Sequence, residues 1–254
     1  MNPIPKSKIV MENSAHQRYD VIAFGAHPDD LEVVMGGTVI KLARKGFSVL
    51  FVDLCDGEPA RHAAHGARHV QAMKAAEILG IQRTTLSLQD RLIRDTVEAR
   101  VQVARLLREY RPRIVFTTAG SGVHPDHKAV TDIITHGVFY ARLPKWEEVP
   151  AGEHLKDTDP HEIDRLFFGH CRMEPAWERF DFAVDVSDVY EKKMASIRVY
   201  ESVFSGDQAT LLDKYNAEDR YVGSLVGVHY AEGFRSRSPL LVDSPEVFLK
   251  ARFG

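Results

Sequence analysis

Two short polar clusters contain the side chains of this sequence that are best suited to chemistry. The first follows the apolar run "YDVIAFGA" and contains His27, Asp29, Asp30 and Glu32. The second, "HPDH" at residues 124–127, follows another apolar run, "RIVFTTA". Charged groups beside a buried strand are unfavourable unless they are paired or bound to a metal. The two clusters therefore predict a shared metal site.

A histidine and an aspartate from the first cluster, with a histidine from the second, form a ligand set for Zn²⁺ or Fe²⁺. Such a set leaves positions open for water and substrate, whereas structural zinc is closed by four ligands, commonly cysteines. The two cysteines, Cys55 and Cys171, have no metal-binding spacing. An open site indicates catalysis, in which a carboxylate takes a proton from water and an imidazole stabilises an oxyanion. The spacing alone does not say which of Asp29 and Asp30 is the ligand.

Other interpretations of the clusters are weaker. One such cluster alone is also typical of a capped helix start with a solvated histidine, but two of the same composition favour a joint site. A dinucleotide-binding turn would read G-x-G-x-x-G, and the carboxylates of "GAHPDD" would repel a pyrophosphate. The G-x-S-x-G motif of serine hydrolases is absent from the sequence. A non-enzymatic metal-binding protein of the same fold stays open as an alternative.

The elements that position these clusters alternate between strand and helix. Predicted strands cover residues 19–26, 47–55, 84–88 and 113–119, and predicted helices cover 31–46, 67–80, 95–110 and 127–143. Asp95 and Glu98 have capping-box spacing at the third helix. Residues 144–162 are predicted to form a loop; strands over 163–170 and 179–186, a helix over 187–204 and a mixed remainder follow. This alternation predicts an α/β fold, a Rossmann-like, mostly parallel sheet flanked by helices with additional C-terminal strands and helices.

Composition describes an ordinary globular protein, with 44% hydrophobic and 27% charged residues in 254. We expect a flexible arm over residues 1–18 and a single domain over 19–254. The net charge of −3 and the pI of about 6.5 argue against nucleic-acid and anionic-membrane partners. Without a long apolar run, a secretory segment or a disulfide framework, the chain is expected to be cytoplasmic.

The motifs "AHPDDLEVVMGGT" and "HPDH" resemble those of the LmbE/PIG-L family of metal-dependent deacetylases, which remove acetyl from N-acetylglucosamine-type amides. Further segments fit in order: "DGE", "ARHVQAMKAAEILGI", "FAVDVSDVYEKKMASI" and "YAEGFRS". The late segments look most like the bacillithiol-biosynthesis branch, which deacetylates N-acetylglucosaminyl malate. The resemblance covers most of the chain and implies an LmbE-like fold.

Site roles follow from this resemblance position by position. It implies that the metal ligands are His27, Asp30 and His127. It further implies that Asp29 is the general base and that His124 polarises the carbonyl oxygen or protonates the amine. Asp126 would orient His124.

The resemblance places Arg68 where the family has a sugar-contacting arginine, although a surface arginine at a helix start explains the residue equally well. Asp56 and Glu58, at the end of the second strand, are candidates for lining the substrate site, and a simple turn explains them equally well. Glu32 is interpreted either as an acid that supports a ligand without touching the metal or as an acid of the first helical turn, rather than as a ligand. For Tyr230 and Glu232, a pocket role and an oligomer contact both stay open.

We therefore expect a zinc-dependent hydrolase, with Fe²⁺ as the other possible metal, that deacetylates a small amino-sugar substrate such as N-acetylglucosaminyl malate. The alternatives are a deacylase of another sugar-like amide, such as an antibiotic or thiol conjugate, and a non-enzymatic metal-binding protein. The family resemblance also implies a homo-oligomer.

Overall fold

The computed structural model describes residues 17–59, 64–120, 123–149, 153–170, 180–200, 208–244 and 246. The predicted N-terminal arm lies outside these residues except for positions 17 and 18. Cys171 and the end of the helix predicted over 187–204 also lie outside them.

Within the described part of the chain, seven strands form one sheet: Val21–Gly25 (β1), Val49–Cys55 (β2), Gln82–Leu88 (β3), Ile114–Ala119 (β4), Arg165–His170 (β5), Phe182–Asp185 (β6) and Ala231–Ser236 (β7). Their order in the sheet is β3-β2-β1-β4-β5-β7-β6. The pairs among β1 to β5 are parallel, and β7 pairs antiparallel with both β5 and β6. The prediction of a mostly parallel α/β sheet is confirmed.

Among the described residues, six α-helices accompany the sheet: Asp30–Arg44 (α1), Ala67–Leu79 (α2), Val97–Tyr110 (α3), Pro125–Arg142 (α4), Tyr190–Arg198 (α5) and Gln208–Val226 (α6). The predicted capping box at α3 is wrong. Thr96 is the N-cap, and its side chain accepts from the N–H of Ala99 at 3.2 Å. Asp95 is bonded instead to Arg100 and His136. A threonine N-cap satisfies an N–H group of the first turn, which leaves Asp95 available for these cations.

The core lies on both faces of the sheet. On one face, α3 and α4 pack against β1 side chains such as Ile22 and Phe24. On the other face, α1, α2 and α5 pack together over residues such as Ala23 and Phe51. Both faces of β1 and β2 are therefore covered, which explains why these strands are continuously apolar rather than alternating.

Helix α1 is broken at Met35, where φ is −147°. Its second half begins with N–H groups of Gly37 and Thr38 that donate to the carboxylate of Glu232 at 2.9 and 2.7 Å. The buried Lys193 pairs with Glu232 at 2.7 Å and with Asp219 at 2.9 Å. Glu232 thus supplies the negative charge that a helix N-terminus favours, and it forms neither a pocket wall nor an exposed contact surface.

The break leaves a short first half of α1 directly after β1. The chain leaves β1 toward β2 on one side, whereas it leaves β4 toward β5 on the other side. Such a switch point opens a crevice at the carboxyl ends of the strands, where ligands of open α/β sheets bind. Both polar clusters follow these two strands. Among the described residues no helix is long and apolar enough to span a membrane.

Candidate active site

The two polar clusters meet at the carboxyl ends of β1 and β4. One ligand atom each from His27, Asp30 and His127 lies within 4.8 Å of the others. The Nε2 atom of His127 is 3.1 Å from Oδ1 of Asp30, and Nδ1 of His27 is 3.6 Å from Oδ2 of the same carboxylate. All three side chains are less than 10% exposed. The structure therefore brings together the three residues that the sequence predicts as metal ligands.

Asp30 begins α1 and is held by the backbone. Its Oδ2 atom accepts from the N–H groups of Ala26 and His27, both at 3.0 Å. Burial alone raises the pKa of Asp30, but the charge and hydrogen bond of His127, with those of His27, lower it well below the usual range. Asp30 is thus a fixed carboxylate with its second oxygen directed at His127.

Asp29 has a different environment from its neighbour. Its φ of 114° is rare for a residue other than glycine, and such a conformation costs about 1–3 kcal/mol. Its carboxylate faces Arg68, whose Nη2 is 3.2 Å from Oδ2. Burial raises the pKa of Asp29 to about 6, against the opposing charge of Arg68. The strained backbone directs the two adjacent carboxylates to different partners.

Arg68 lies inside the site and is only 11% exposed. Its guanidinium donates to the carbonyls of Gly57 at 3.0 Å and Pro28 at 3.3 Å. Gly57 has a φ of 69°, and a Cβ there would lie 2.4 Å from Nη1 of Arg68, so a larger residue would strain the backbone and displace the guanidinium. Glu58, the other predicted substrate residue, accepts from the N–H of Gly66 at 3.0 Å, next to the start of α2.

His124 is the N-cap of α4, and its Nδ1 accepts from the backbone N–H of Asp126 at 3.3 Å. The neutral ring therefore carries its proton on Nε2. Burial lowers the pKa of His124, and the positive charges of His127 and His27 lower it further. The ring stacks on His127 with centroids 4.6 Å apart. His124 is thus arranged as a neutral hydrogen-bond donor beside the ligand group.

The carboxylate of Asp126 contacts His27. Its Oδ2 atom is 3.3 Å from Nε2 of His27 and accepts from the N–H of Arg91 at 2.7 Å. Among the described contacts, Asp126 reaches the His124 ring through its backbone N–H and not through its carboxylate. The role predicted for Asp126, orientation of His124, is therefore one for its backbone in this geometry.

Asp90 belongs to the site although sequence reasoning missed it. It follows β3, and its Oδ1 atom is 3.0 Å from Nε2 of His27. Cys55 at the end of β2 lies near the same ring. The position of Asp90 just after β3 could have predicted its place in the site, because the carboxyl ends of parallel strands lie at one edge of the sheet.

The charge balance of the site suits a cation. Four carboxylates converge here: Asp29, Asp30, Asp90 and Asp126. Burial alone lowers the pKa of His27, but hydrogen bonds with three of these acids raise it well above the usual value. A position where a buried imidazole is driven to carry positive charge is one where a divalent cation is stabilised, and two imidazoles with a carboxylate are suitable ligands.

Comparison with known proteins agrees with this geometry. The sequence profile of the PIG-L family, described as GlcNAc-PI de-N-acetylase, matches residues 22–138. The diacetylchitobiose deacetylase of Thermococcus kodakarensis is 30% identical over 227 residues, which cover 85% of this chain and 82% of the relative. The chain belongs to the PIG-L family. The matched region contains both clusters and the strands that hold them.

Other PIG-L-like proteins extend the comparison. The conserved protein TT1542 from Thermus thermophilus superimposes with a TM-score of 0.78 at 30% identity, covering 88% of this chain and 97% of the other. A probable N-acetyl-α-D-glucosaminyl L-malate deacetylase of Bacillus anthracis is 24% identical, covering 79% and 88%. The 4-oxalmesaconate hydratase of Pseudomonas putida is 22% identical, covering 88% and 91%. Relatives at this level of identity thus catalyse more than one type of reaction. The arrangement of the site residues is therefore needed to distinguish between these reactions.

Proposed function

We propose that this protein is a zinc-dependent deacetylase of small molecules that contain N-acetylglucosamine, with N-acetylglucosaminyl malate as the first substrate to test. The observation that carries the proposal is the separation of roles in the crevice. Three donors face one another, while Asp29 and His124 lie beside them with other partners. A protein that only binds a metal has no need of these two additional groups.

His27, Asp30 and His127 are the residues that would hold Zn²⁺, with Fe²⁺ as the alternative. A divalent cation bound there supplies Lewis-acid polarisation of the acetyl carbonyl and lowers the pKa of a water molecule. Three protein ligands leave further positions open, as catalytic zinc sites do.

In this proposal Asp29 acts as the general base. It takes a proton from the attacking water as the water oxygen bonds to the acetyl carbon. The C–N bond then breaks, and the proton passes to the nitrogen, which leaves as a free amine with acetate as the other product. Arg68, in contact with Asp29, stabilises its carboxylate form before the proton arrives.

His124 supplies a hydrogen-bond donor to the other side of the reacting group. Because its Nδ1 accepts from the N–H of Asp126, the Nε2–H points away from the backbone and is available to the carbonyl oxygen. Negative charge grows on this oxygen as water adds, so a preorganised donor lowers the barrier. The stacking on His127 fixes the plane of the ring.

The first experiment measures acetate release from a panel of N-acetylglucosaminides, including the malate conjugate and a neutral glycoside, with and without a chelator. We expect chelator-sensitive release that Zn²⁺ restores, with the substrates ranked by kcat/KM. Water addition to an unsaturated tricarboxylate, the type of reaction named for the hydratase relative, is assayed in parallel. Hydration without acetate release would overturn the proposal, and so would a metal-loaded protein inert toward the whole panel.

A further inference from the structure

The imidazole of His27 has a different carboxylate on each of its two nitrogens. On one side, Nδ1 faces Asp30 at 3.6 Å, toward His127. On the other side, Nε2 lies 3.0 Å from Asp90 and 3.3 Å from Asp126. A neutral imidazole has one N–H and one lone pair, so the partner of the N–H determines which nitrogen faces the ligand group.

Asp90 is the better acceptor for that N–H. Its carboxylate is the closer of the two, and the Oδ2 of Asp126 that faces His27 already accepts from the N–H of Arg91 at 2.7 Å. The Asp90 side chain is 9% exposed, so its hydrogen bond to His27 replaces much of its contact with water. A buried carboxylate in this position requires such a donor.

The backbone after β3 holds Asp90 in the site. Arg91 has a φ of 66°, a left-handed conformation that few residues other than glycine adopt. Its guanidinium donates to the carbonyl of Pro59 at 3.0 Å, and the N–H of Leu92 closes a turn on Gln89 at 3.1 Å. The backbone N–H of Arg91 donates to Asp126, so the turn is held both by this hydrogen bond and by the one from the Arg91 guanidinium to Pro59. Residue 90 therefore points inward and residue 91 outward.

We propose that Asp90 is a positioning residue of the metal site, a role that rests on the proposed metal-dependent function. It accepts the Nε2–H of His27, so that the lone pair of Nδ1 faces Asp30 and His127 and is the donor atom offered to the cation. Hydrogen-bond partners of this kind orient a ligating histidine, and their loss weakens metal binding about 10–100-fold. The proposal concerns the ligand ring, not contact with the substrate.

The test uses the full-length protein with Asp90→Asn, Asp90→Ala and the control Asp95→Asn. Asp95 is a paired acid five positions further along the same connection, and its recorded contacts are with Arg100 and His136. Metal-free protein is titrated with Zn²⁺ in competition with a chromophoric chelator. We expect Asp90→Ala to weaken Zn²⁺ binding about 10–100-fold. Asp90→Asn retains a neutral acceptor and should weaken binding less, while Asp95→Asn should bind like the unaltered protein.

The second readout is the tautomer of His27 in the zinc-loaded protein, measured by long-range ¹⁵N–¹H correlation and assigned with His27→Gln. We expect a protonated Nε2 and a metal-bound Nδ1, with kcat reduced more than KM is raised in the Asp90 variants. A metal-bound Nε2 would overturn the proposal. Unchanged zinc affinity with a raised KM would also overturn it, because Asp90 would then be a substrate contact. If the unaltered protein binds no Zn²⁺, the proposed metal dependence itself fails.

Discussion

Two buried clusters of charge lie close together in this protein and differ in how their carboxylates are satisfied. The first, the Arg83 cluster, links β3, α1, β2 and the end of the described α5 segment through Arg83, Glu32, Asp53 and Tyr200. The second, the site cluster, consists of His27, Asp29, Asp30, Arg68, Asp90, His124, Asp126 and His127. The Arg83 cluster contains two acids and is almost wholly shielded from water, whereas the site cluster contains four acids and is partly open at Asp29, Arg68 and His124.

In the Arg83 cluster, every member is hydrogen-bonded to another. The guanidinium of Arg83 donates two hydrogen bonds to Asp53, of 2.6 and 2.7 Å, and it also donates to Glu32. The hydroxyl of Tyr200 donates to Glu32 at 2.8 Å. Since the planar guanidinium matches the carboxylates, the donor and acceptor atoms face one another. Such a cluster links the strands and the helix. Because its donors and acceptors are already paired with one another, it does not favour ligand binding.

In the site cluster, the four acids have one buried permanent cation, Arg68 beside Asp29, and the exposed Arg91 lies 3.7 Å from Asp90. One ligand atom each from Asp30, His27 and His127 lies within 4.8 Å of the others. The comparison teaches that buried charge does not by itself mark function. What distinguishes the site is an excess of acceptors that share a common focus, as a metal requires.

The largest expected effect comes from His127→Ala, which tests whether the site cluster needs its cation. We expect Zn²⁺ binding to be lost and acetate release to fall by more than about 10⁴-fold, because polarisation and water activation disappear together. Thermal unfolding gives the matched control. Zn²⁺ at about 100 times its Kd should stabilise the unaltered protein by about 2.7 kcal/mol and leave the variant unchanged. Equal zinc stabilisation of both proteins would place the cation elsewhere.

Asp29→Asn separates the base from the ligands. The rate should fall about 10²–10⁴-fold, the contribution of a general base, while zinc binding is retained. The free energy of unfolding should change little or rise, because one of several crowded negative charges is removed. Zinc content is measured on the purified variant, and its loss would mean that the base and ligand roles of Asp29 and Asp30 are exchanged.

Arg83→Met tests whether the Arg83 cluster contributes to stability, in contrast to the site cluster, whose acids are expected to contribute to activity. Removal of the guanidinium leaves Glu32 and Asp53 buried without a cation, which costs about 3–5 kcal/mol in the free energy of unfolding. Urea unfolding monitored by fluorescence measures this loss. If Arg83→Met were no less stable than Asp29→Asn, the distinction between a structural and a functional charge cluster would not hold.

The smallest expected effect concerns Asp95, a paired acid with more access to water. Its pKa is lowered, mainly by the hydrogen bond from Arg100. The stabilisation is therefore fully present above the unfolded pKa of about 3.9 and is lost as the pH falls through the folded pKa. We expect Asp95→Asn to cost about 0.5–1.5 kcal/mol at pH 7, because both partners of the ion pair have access to water. The difference from the unaltered protein should shrink as unfolding is measured at progressively lower pH values below 4.

Most of the fold is predictable from sequence because it depends on local patterns. The strands β1, β2 and β4 are short apolar runs, and α2 ends at Gly80, which has a φ of 80°. The break in α1 is not predictable in this way, since it depends on Glu232, a residue nearly two hundred positions away in the chain. The capping box at α3 failed because two overlapping patterns, at Asp95 and Thr96, compete for one helix start.

The sequence by itself determined the type of chemistry, because the two His-Pro-Asp motifs specify imidazoles and carboxylates at strand ends whatever the details of packing. Only the tertiary structure decided which acids share the site. Glu32 lies two residues from Asp30 yet belongs to the Arg83 cluster, whereas Asp90 lies sixty positions away and contacts His27. The reason is geometric: a helix turns successive side chains to different faces, while parallel strands bring distant residues to one edge of the sheet.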